Sequence, residues 1–176
     1  DYTVISGFKT WDDDDDRDGL RPDTITIEVT DQFNNVVASV PVTEDDDWTY
    51  EINLPKYGYD AEEEKFVELE YTVKEVDVDG YESTVSGYDV TNKHEIATVS
   101  FHITKVWADN TDNDGIRPAE IMVRIIDKET NEEVDGAKIT AASGWYYEFN
   151  DLPKYKNNGE AINYDIIEDE VPGYTY

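Results

Sequence analysis

Two lysines occupy positions where an alternating pattern predicts an apolar side chain. The alternating residues are Phe101, Ile103, Lys105 and Trp107 in one segment, and Ile5, Gly7, Lys9 and Trp11 in the other. Side chains of a strand point to its two faces in turn, and an unpaired ammonium is costly to bury. A lysine placed on an apolar face twice therefore requires a chemical explanation.

Three further polar residues share a strand face with apolar neighbours. They are Glu75 with Tyr71 and Val73, Glu168 with Tyr164 and Ile166, and Asn92 with Tyr88 and Val90. A wrong register, or a long side chain that reaches solvent, would explain any one of them. These alternatives explain less well a lysine and a glutamate that both point inward in two separate segments.

A buried lysine, glutamate and asparagine have a specific reactivity. Desolvation lowers the pKa of an amine and raises that of a carboxylic acid, and a neutral amine is a nucleophile. A protonated carboxyl group can polarise an amide carbonyl and relay protons. Attack of the Lys9 Nζ on the side-chain carbonyl of Asn92, assisted by Glu75, would expel ammonia and leave an amide crosslink, with folding supplying the proximity.

An internal repeat defines the organisation of the chain. The matched segments are Lys9-Thr10-Trp11 with Lys105-Val106-Trp107, Asp18-Gly19-Leu20-Arg21-Pro22 with Asp114-Gly115-Ile116-Arg117-Pro118, Leu54-Pro55-Lys56-Tyr57 with Leu152-Pro153-Lys154-Tyr155, and Gly80-Tyr81 with Gly173-Tyr174. Their order is the same in both copies. We predict two domains, residues 1–95 and 96–176, joined near Glu95 by almost no linker.

The sequence pattern of each copy predicts an all-β domain. Short alternating runs such as Ile25, Ile27 and Val29 are separated by clusters of Asp, Asn, Gly and Pro, which predicts tandem immunoglobulin-like β-sandwiches. Two such sandwiches with a short joint favour a stalk. In the second copy only two residues follow Gly173-Tyr174, so we expect this copy to lack its last strand and Lys105 to have no acceptor within the sequence.

These motifs together resemble the collagen-adhesin B-type (CnaB-like) domain of Gram-positive surface proteins and pilins, over essentially the whole chain and twice. In that family a first-strand lysine forms an isopeptide bond with a last-strand Asn or Asp, assisted by a buried glutamate. The resemblance implies a bond from Lys9 to Asn92 with Glu75 as the promoting acid, and it matches Lys105 and Glu168 in the second copy. It also implies an extracellular, cell-wall-anchored surface protein and neighbouring repeat domains as partners.

Two acidic loops are candidate calcium sites. They offer Asp14, Asp16 and Asp18 in one copy and Asn110, Asp112 and Asp114 in the other, ahead of a turn glycine. This spacing suits a hard cation, but Ile25 and Ile121 stand where an EF-hand has its bidentate glutamate. A solvated acidic turn is the alternative. No cofactor is required by the predicted chemistry, and calcium is the one candidate metal.

Composition excludes several classes of function. The net charge of -29 opposes nucleic acid and anionic membranes as partners. No apolar run is long enough for membrane insertion, and the absence of cysteine excludes thiol chemistry. We therefore expect a structural module and no turnover enzyme. The alternative is a binding module whose loops or tyrosines recognise a host matrix protein or a glycan.

Overall fold

The chain folds as β-strands, as the alternation of apolar and polar residues predicts. A computed structural model describes residues 1–176, and its contacts divide the chain into two compact units, Asp1–Glu95 (unit 1) and Ile96–Tyr176 (unit 2). The helical segments are three 3-10 turns, Glu44–Asp46, Ala141–Ser143 and Asn157–Gly159. No helix has the length and hydrophobicity needed to cross a membrane.

Unit 1 contains nine strands. They are β1 (Tyr2–Asp12), β2 (Thr24–Asp31), β3 (Val36–Thr43), β4 (Thr49–Pro55), β5 (Tyr57–Asp60), β6 (Lys65–Glu68), β7 (Tyr71–Glu75), β8 (Glu82–Ser86) and β9 (Asp89–Lys93). One sheet has the order β4-β1-β9-β8 and a second has the order β3-β2-β7, while β5 and β6 form a separate hairpin. Buried residues from the two larger sheets form one core, led by Ile5, Ile27, Val29 and Val90.

The first and last strands of unit 1 are direct neighbours. β1 pairs with β4 in antiparallel fashion over its first part and with β9 in parallel fashion over its last part. Gly7 lies where these two pairings meet, and a Cβ added there would come 2.1 Å from the backbone oxygen of Tyr88. This close approach explains the glycine on an otherwise apolar face.

Unit 2 contains seven strands. They are β10 (Thr98–Thr104), β11 (Glu120–Asp127), β12 (Glu133–Thr140), β13 (Tyr146–Pro153), β14 (Tyr155–Lys156), β15 (Glu160–Ala161) and β16 (Tyr164–Glu168). The sheets are β10-β13, β12-β11-β16 and the small hairpin β14-β15. Ile125, Ile139 and Phe149 are the most completely buried apolar residues of its core.

The two units differ at the edge of the first strand. β10 pairs only with β13 and ends at Thr104, so Lys105 and Trp107 lie beyond the strand that the alternation predicted for them. Ile166, predicted to face the core, is 40% exposed. Both differences have one cause: no strand pairs with β10 as β9 pairs with β1, so nothing extends β10 or covers this face.

Candidate functional site

A lysine–glutamate pair crosses the core of unit 1. β1 supplies Lys9 and β7 of the facing sheet supplies Glu75, and the Lys9 Nζ donates to Glu75 Oε1 at 2.5 Å. Their side chains are 1% and 0% exposed. Burial lowers the pKa of Lys9 below its ordinary value, although the hydrogen bond and the charge of Glu75 act in the opposite direction. The amine is therefore easier to deprotonate than a surface lysine.

Asn92 lies beside this pair with an unsatisfied amide. In the parallel register Lys9 is opposite Val90 and Trp11 is opposite Asn92, so Lys9 and Asn92 lie diagonally on the same face of neighbouring strands. Asn92 is completely buried, and neither its Oδ1 nor its Nδ2 has a hydrogen-bond partner. The Oε2 atom of Glu75 is likewise buried without a partner. Buried polar atoms without partners are rare in folded proteins and call for an explanation.

This arrangement brings together a nucleophile, an acid–base group and an electrophile. The amine lies in hydrogen-bonding contact with a carboxylate that can take its proton, and the amide carbonyl lies on the adjacent strand. Water is excluded, which strengthens each electrostatic contact within the site. The chemistry available is attack of an amine on a carboxamide.

A second set of residues, which the sequence analysis missed, surrounds Trp11. The Asp13 carboxylate accepts from Arg21 Nε at 3.1 Å and from Arg21 Nη2 at 2.6 Å, and also from the Tyr81 hydroxyl at 2.8 Å. Burial acts to raise the pKa of Asp13, but these hydrogen bonds and that of the Asp16 amide hold the pKa below its ordinary value. The repeated Asp-Gly-x-Arg-Pro and Gly-Tyr motifs contained the signal, since they supply the arginine and the tyrosine.

Unit 2 repeats the pair in a more open setting. The Lys105 Nζ donates to Glu168 Oε1 at 2.8 Å and to Oε2 at 2.9 Å, and the two side chains are 15% and 16% exposed. A groove of about 290 Å³ opens beside them, lined mainly by Ile103, Val123, Ile139, Ile166 and Ile167. No asparagine lies beside Lys105 in the way that Asn92 lies beside Lys9, because unit 2 has no strand in the position of β9.

The structure does not bring the predicted calcium ligands together. Asp14 pairs with Arg17, Asp16 Oδ1 accepts from the Arg21 amide at 2.9 Å, and Asp18 Oδ2 lies 2.8 Å from His94 Nε2. No group of three or more His, Cys, Asp or Glu side chains is arranged to hold a metal ion.

The loop of unit 2 is organised in the same way as that of unit 1. Asp112 Oδ1 accepts from the Arg117 amide at 2.9 Å, while Asn110 and Asp112 adopt positive φ, as do Asp14 and Asp16 in unit 1. Asp and Asn tolerate this backbone conformation better than most residues. The acidic side chains therefore serve the shape of the loop.

Each unit pairs a lysine on or just beyond its first strand with a glutamate of the facing sheet, so the chain is a tandem repeat of one β-sandwich domain. The chain belongs to the Cna protein B-type domain family, whose family model matches residues 5–93 and 101–176. The predicted resemblance is thus confirmed, and the two matches correspond to the two units.

A similar sequence and a similar solved structure both come from Staphylococcus aureus. The collagen adhesin of that organism is 35% identical over 98% of this chain, which spans 14% of that protein. The crystal structure of two B repeat units (B1B2) of the collagen binding protein Cna is 31% identical, with a TM-score of 0.82 over 97% of this chain and 45% of that chain. The likeness supports the β-sandwich repeat fold.

Proposed function

We propose that the chain is a load-bearing module in the stalk of a Gram-positive surface adhesin, and that an amide bond between Lys9 and Asn92 closes unit 1. The observation that carries the proposal is the buried Lys9–Glu75 contact next to a completely buried Asn92 whose amide has no partner. Formation of the bond would remove both the buried ammonium of Lys9 and the unsatisfied amide of Asn92, because the two groups would become one amide.

The reaction balances without a cofactor. Glu75 takes a proton from the Lys9 ammonium, and the neutral Nζ attacks Cγ of Asn92. The protonated Glu75 donates a hydrogen bond to the amide oxygen as negative charge develops there. The Cγ–Nδ2 bond then breaks, and Nδ2 leaves as ammonia with the proton that Nζ gives up. One C–N bond forms and one breaks.

The position of the bond suits a mechanical role. β1 begins the unit and β9 ends it, and the two strands are parallel neighbours. Force applied to the two ends of the unit therefore loads this strand pair in shear. A covalent bond between Lys9 and Asn92 would carry that load before the hydrogen bonds of the sheet, so unfolding by this route would be blocked rather than slowed.

Intact mass tests the proposal. We expect the purified protein to be ~17 Da lighter than its sequence, the mass of one ammonia lost in a covalent modification. Lys9→Ala, Glu75→Ala and Asn92→Ala should each restore the full mass. Digestion should yield a branched peptide that joins the segment around Lys9 to that around Asn92. A full-length mass in the folded parent protein would refute the crosslink.

Unit 2 extends the proposal. We infer that Lys105 and Glu168 would form the same bond with an acceptor on a strand placed along β10, in the groove beside Ile103 and Ile166. We also propose that the natural protein is extracellular, which immunolabelling of intact cells tests. Since its relative is a collagen adhesin, binding of collagen by this chain is the competing function, and a surface-binding assay with immobilised collagen decides between them.

A further inference from the structure

Trp11 lies next to both residues that the proposed crosslink joins, Lys9 and Asn92. It lies two positions beyond Lys9 on β1, on the same face, and it is the register partner of Asn92 on β9. The Lys9 Nζ lies 4.3 Å from the centroid of the Trp11 ring, which is within the range of a cation–π contact. The amine is thus held between an indole face and the carboxylate of Glu75.

The acidic loop holds this indole from outside the core. The guanidinium of Arg21 lies 5.5 Å from the Trp11 ring centroid, and the two hydrogen bonds to Asp13 fix its plane. Tyr81, which also donates to Asp13, packs edge-on against the indole at 5.0 Å. The loop therefore contacts the reactive lysine through the Trp11 ring, while the charge of Asp13 also acts on the Lys9 amine.

The indole N–H provides a second, independent observation. Trp11 Nε1 is buried and has no acceptor, and the same is true of Trp107 Nε1 in unit 2. An unsatisfied buried donor destabilises the fold, and a phenylalanine would not carry this cost. Tryptophan offers the best aromatic face for a cation, so its presence in both units is explained by the ring face and not by the N–H.

Unit 2 repeats the arrangement where the last strand is absent. The Lys105 Nζ lies 4.7 Å and the Arg117 guanidinium 5.3 Å from the Trp107 ring centroid. Arg117 donates to the Asp109 carboxylate from Nε at 2.9 Å and from Nη2 at 2.5 Å. The series of contacts from Asp109 through Arg117 and Trp107 to Lys105 therefore forms without a β9 strand. This is expected if these contacts place the amine before an acceptor strand is present.

We propose that Trp11 is a positioning residue for Lys9, and that the Asp13–Arg21 pair of the acidic loop holds Trp11 in place. The inference rests on the proposed function. The indole covers the amine against water and restricts its rotamers, which raises the effective concentration of the nucleophile at Asn92. The acidic loop, which resembles a calcium site in sequence, thereby serves the reaction through Arg21.

The rate of crosslinking tests this role. Chain that has never folded is recovered in denaturant before the bond can form, diluted into refolding buffer, and sampled for loss of ammonia by intact mass. We expect Trp11→Leu to be about tenfold slower than the parent and Trp11→Phe to recover most of that loss, because a phenyl face retains part of the contact. Arg21→Met should slow the reaction severalfold. Arg17→Met, which removes another arginine–aspartate pair of the same loop, should react at the parental rate.

A spectroscopic readout separates positioning from folding. In Asn92→Ala no crosslink forms, and the ring current of Trp11 should shift the ε-methylene protons of Lys9 upfield in the NMR spectrum. The shift should disappear in Trp11→Leu/Asn92→Ala, decrease with Arg21→Met and persist with Arg17→Met. If Trp11→Leu does not fold, the comparison of Arg21→Met with Arg17→Met tests the positioning role by itself.

The outcomes for the two proposals are distinct. A parent protein that never loses ammonia refutes the crosslink, whatever the NMR result. A parent that crosslinks while Trp11→Leu or Arg21→Met reacts at the parental rate refutes the positioning role and leaves the crosslink intact. An unshifted Lys9 ε-methylene signal in Asn92→Ala also refutes it.

Discussion

The same lysine–glutamate pair lies in two environments within one chain. In unit 1 the side chains of Lys9 and Glu75 are 1% and 0% exposed, whereas those of Lys105 and Glu168 in unit 2 are 15% and 16% exposed. The first strand, the facing sheet and the tryptophan are present in both units, and β8 and β9 are present only in unit 1. The comparison indicates that the first strand and the facing sheet place the pair and that the last strand buries it.

The largest expected effect is a conversion of unit 2 into a closed unit. Replacing Thr175 and Tyr176 by a copy of residues 82–95 would place an asparagine along β10 in the position that Asn92 has along β1. We expect a second loss of ~17 Da and a gain of about 4 kcal/mol in the unfolding free energy of unit 2 from loop closure, together with the burial of Ile166.

The control for this graft is the same segment with its asparagine replaced by alanine. It should bury Ile166 without the second loss of mass. Intact mass and hydrogen exchange of the β16 amides measure the two effects separately. A graft that covers the groove and still leaves Lys105 unreacted would show that burial by the last strand does not suffice for the reaction.

The next largest effect is the removal of the proposed bond from unit 1. Asn92→Ala keeps the Lys9–Glu75 contact but removes the acceptor, and we expect unit 1 to lose about 4 kcal/mol of unfolding free energy because a loop spanning residues 9–92 is no longer closed. Unit 2 should be unaffected. Hydrogen exchange resolved by peptide separates the units, and equal losses in both would contradict a bond confined to unit 1.

Much of the fold could be predicted from the sequence because the apolar alternation is regular. The run Ile25, Ile27, Val29 forms the centre of β2, and the inward positions of Glu75 and Asn92 follow from the same period of two. The extent of a strand could not be predicted in this way. The apolar alternation continues to Trp107, but β10 ends at Thr104 because no strand pairs with the residues that follow.

The polar surroundings of the site were beyond the sequence analysis. Asp13 belongs to a run of five aspartates, Asp12–Asp16, and nothing local distinguishes it, yet it is 2% exposed while Asp14 and Asp15 are exposed. Its burial depends on Arg21 and Tyr81, which come from a later part of the loop and from the turn after β7. Such a contact follows from tertiary structure and has no periodic signal.

A smaller effect should come from breaking the ion pair in each unit of the Asn92→Ala protein, where no bond complicates the comparison. Glu75→Ala leaves an ammonium buried without its partner, which costs about 3 kcal/mol or more. Glu168→Ala leaves an ammonium that water can reach, and we expect a loss of about 1 kcal/mol or less. Urea denaturation followed by peptide-resolved exchange measures both. Similar losses would mean that the difference in exposure has no energetic consequence.

The smallest effect concerns a histidine that only unit 1 has at the end of its last strand. His94 Nδ1 lies 2.7 Å from the Gly80 carbonyl oxygen and Nε2 lies 2.8 Å from Asp18 Oδ2. Both partners are acceptors, so both ring nitrogens must donate, which requires the protonated ring. The hydrogen bond to Asp18 is the main cause that raises the pKa of His94 above its ordinary value, while burial acts in the opposite direction.

The raised pKa of His94 determines how the unfolding free energy of unit 1 changes with pH. Protonation favours the folded state, so the contribution is fully present below the unfolded pKa of about 6.5 and is lost as pH rises through the higher folded pKa. We expect unit 1 to lose at most about 1 kcal/mol across this window, because the pair is partly screened by solvent. His94→Gln should remove this slope from unit 1 and leave unit 2 unchanged. A slope that persists in His94→Gln would assign the pH dependence to another group.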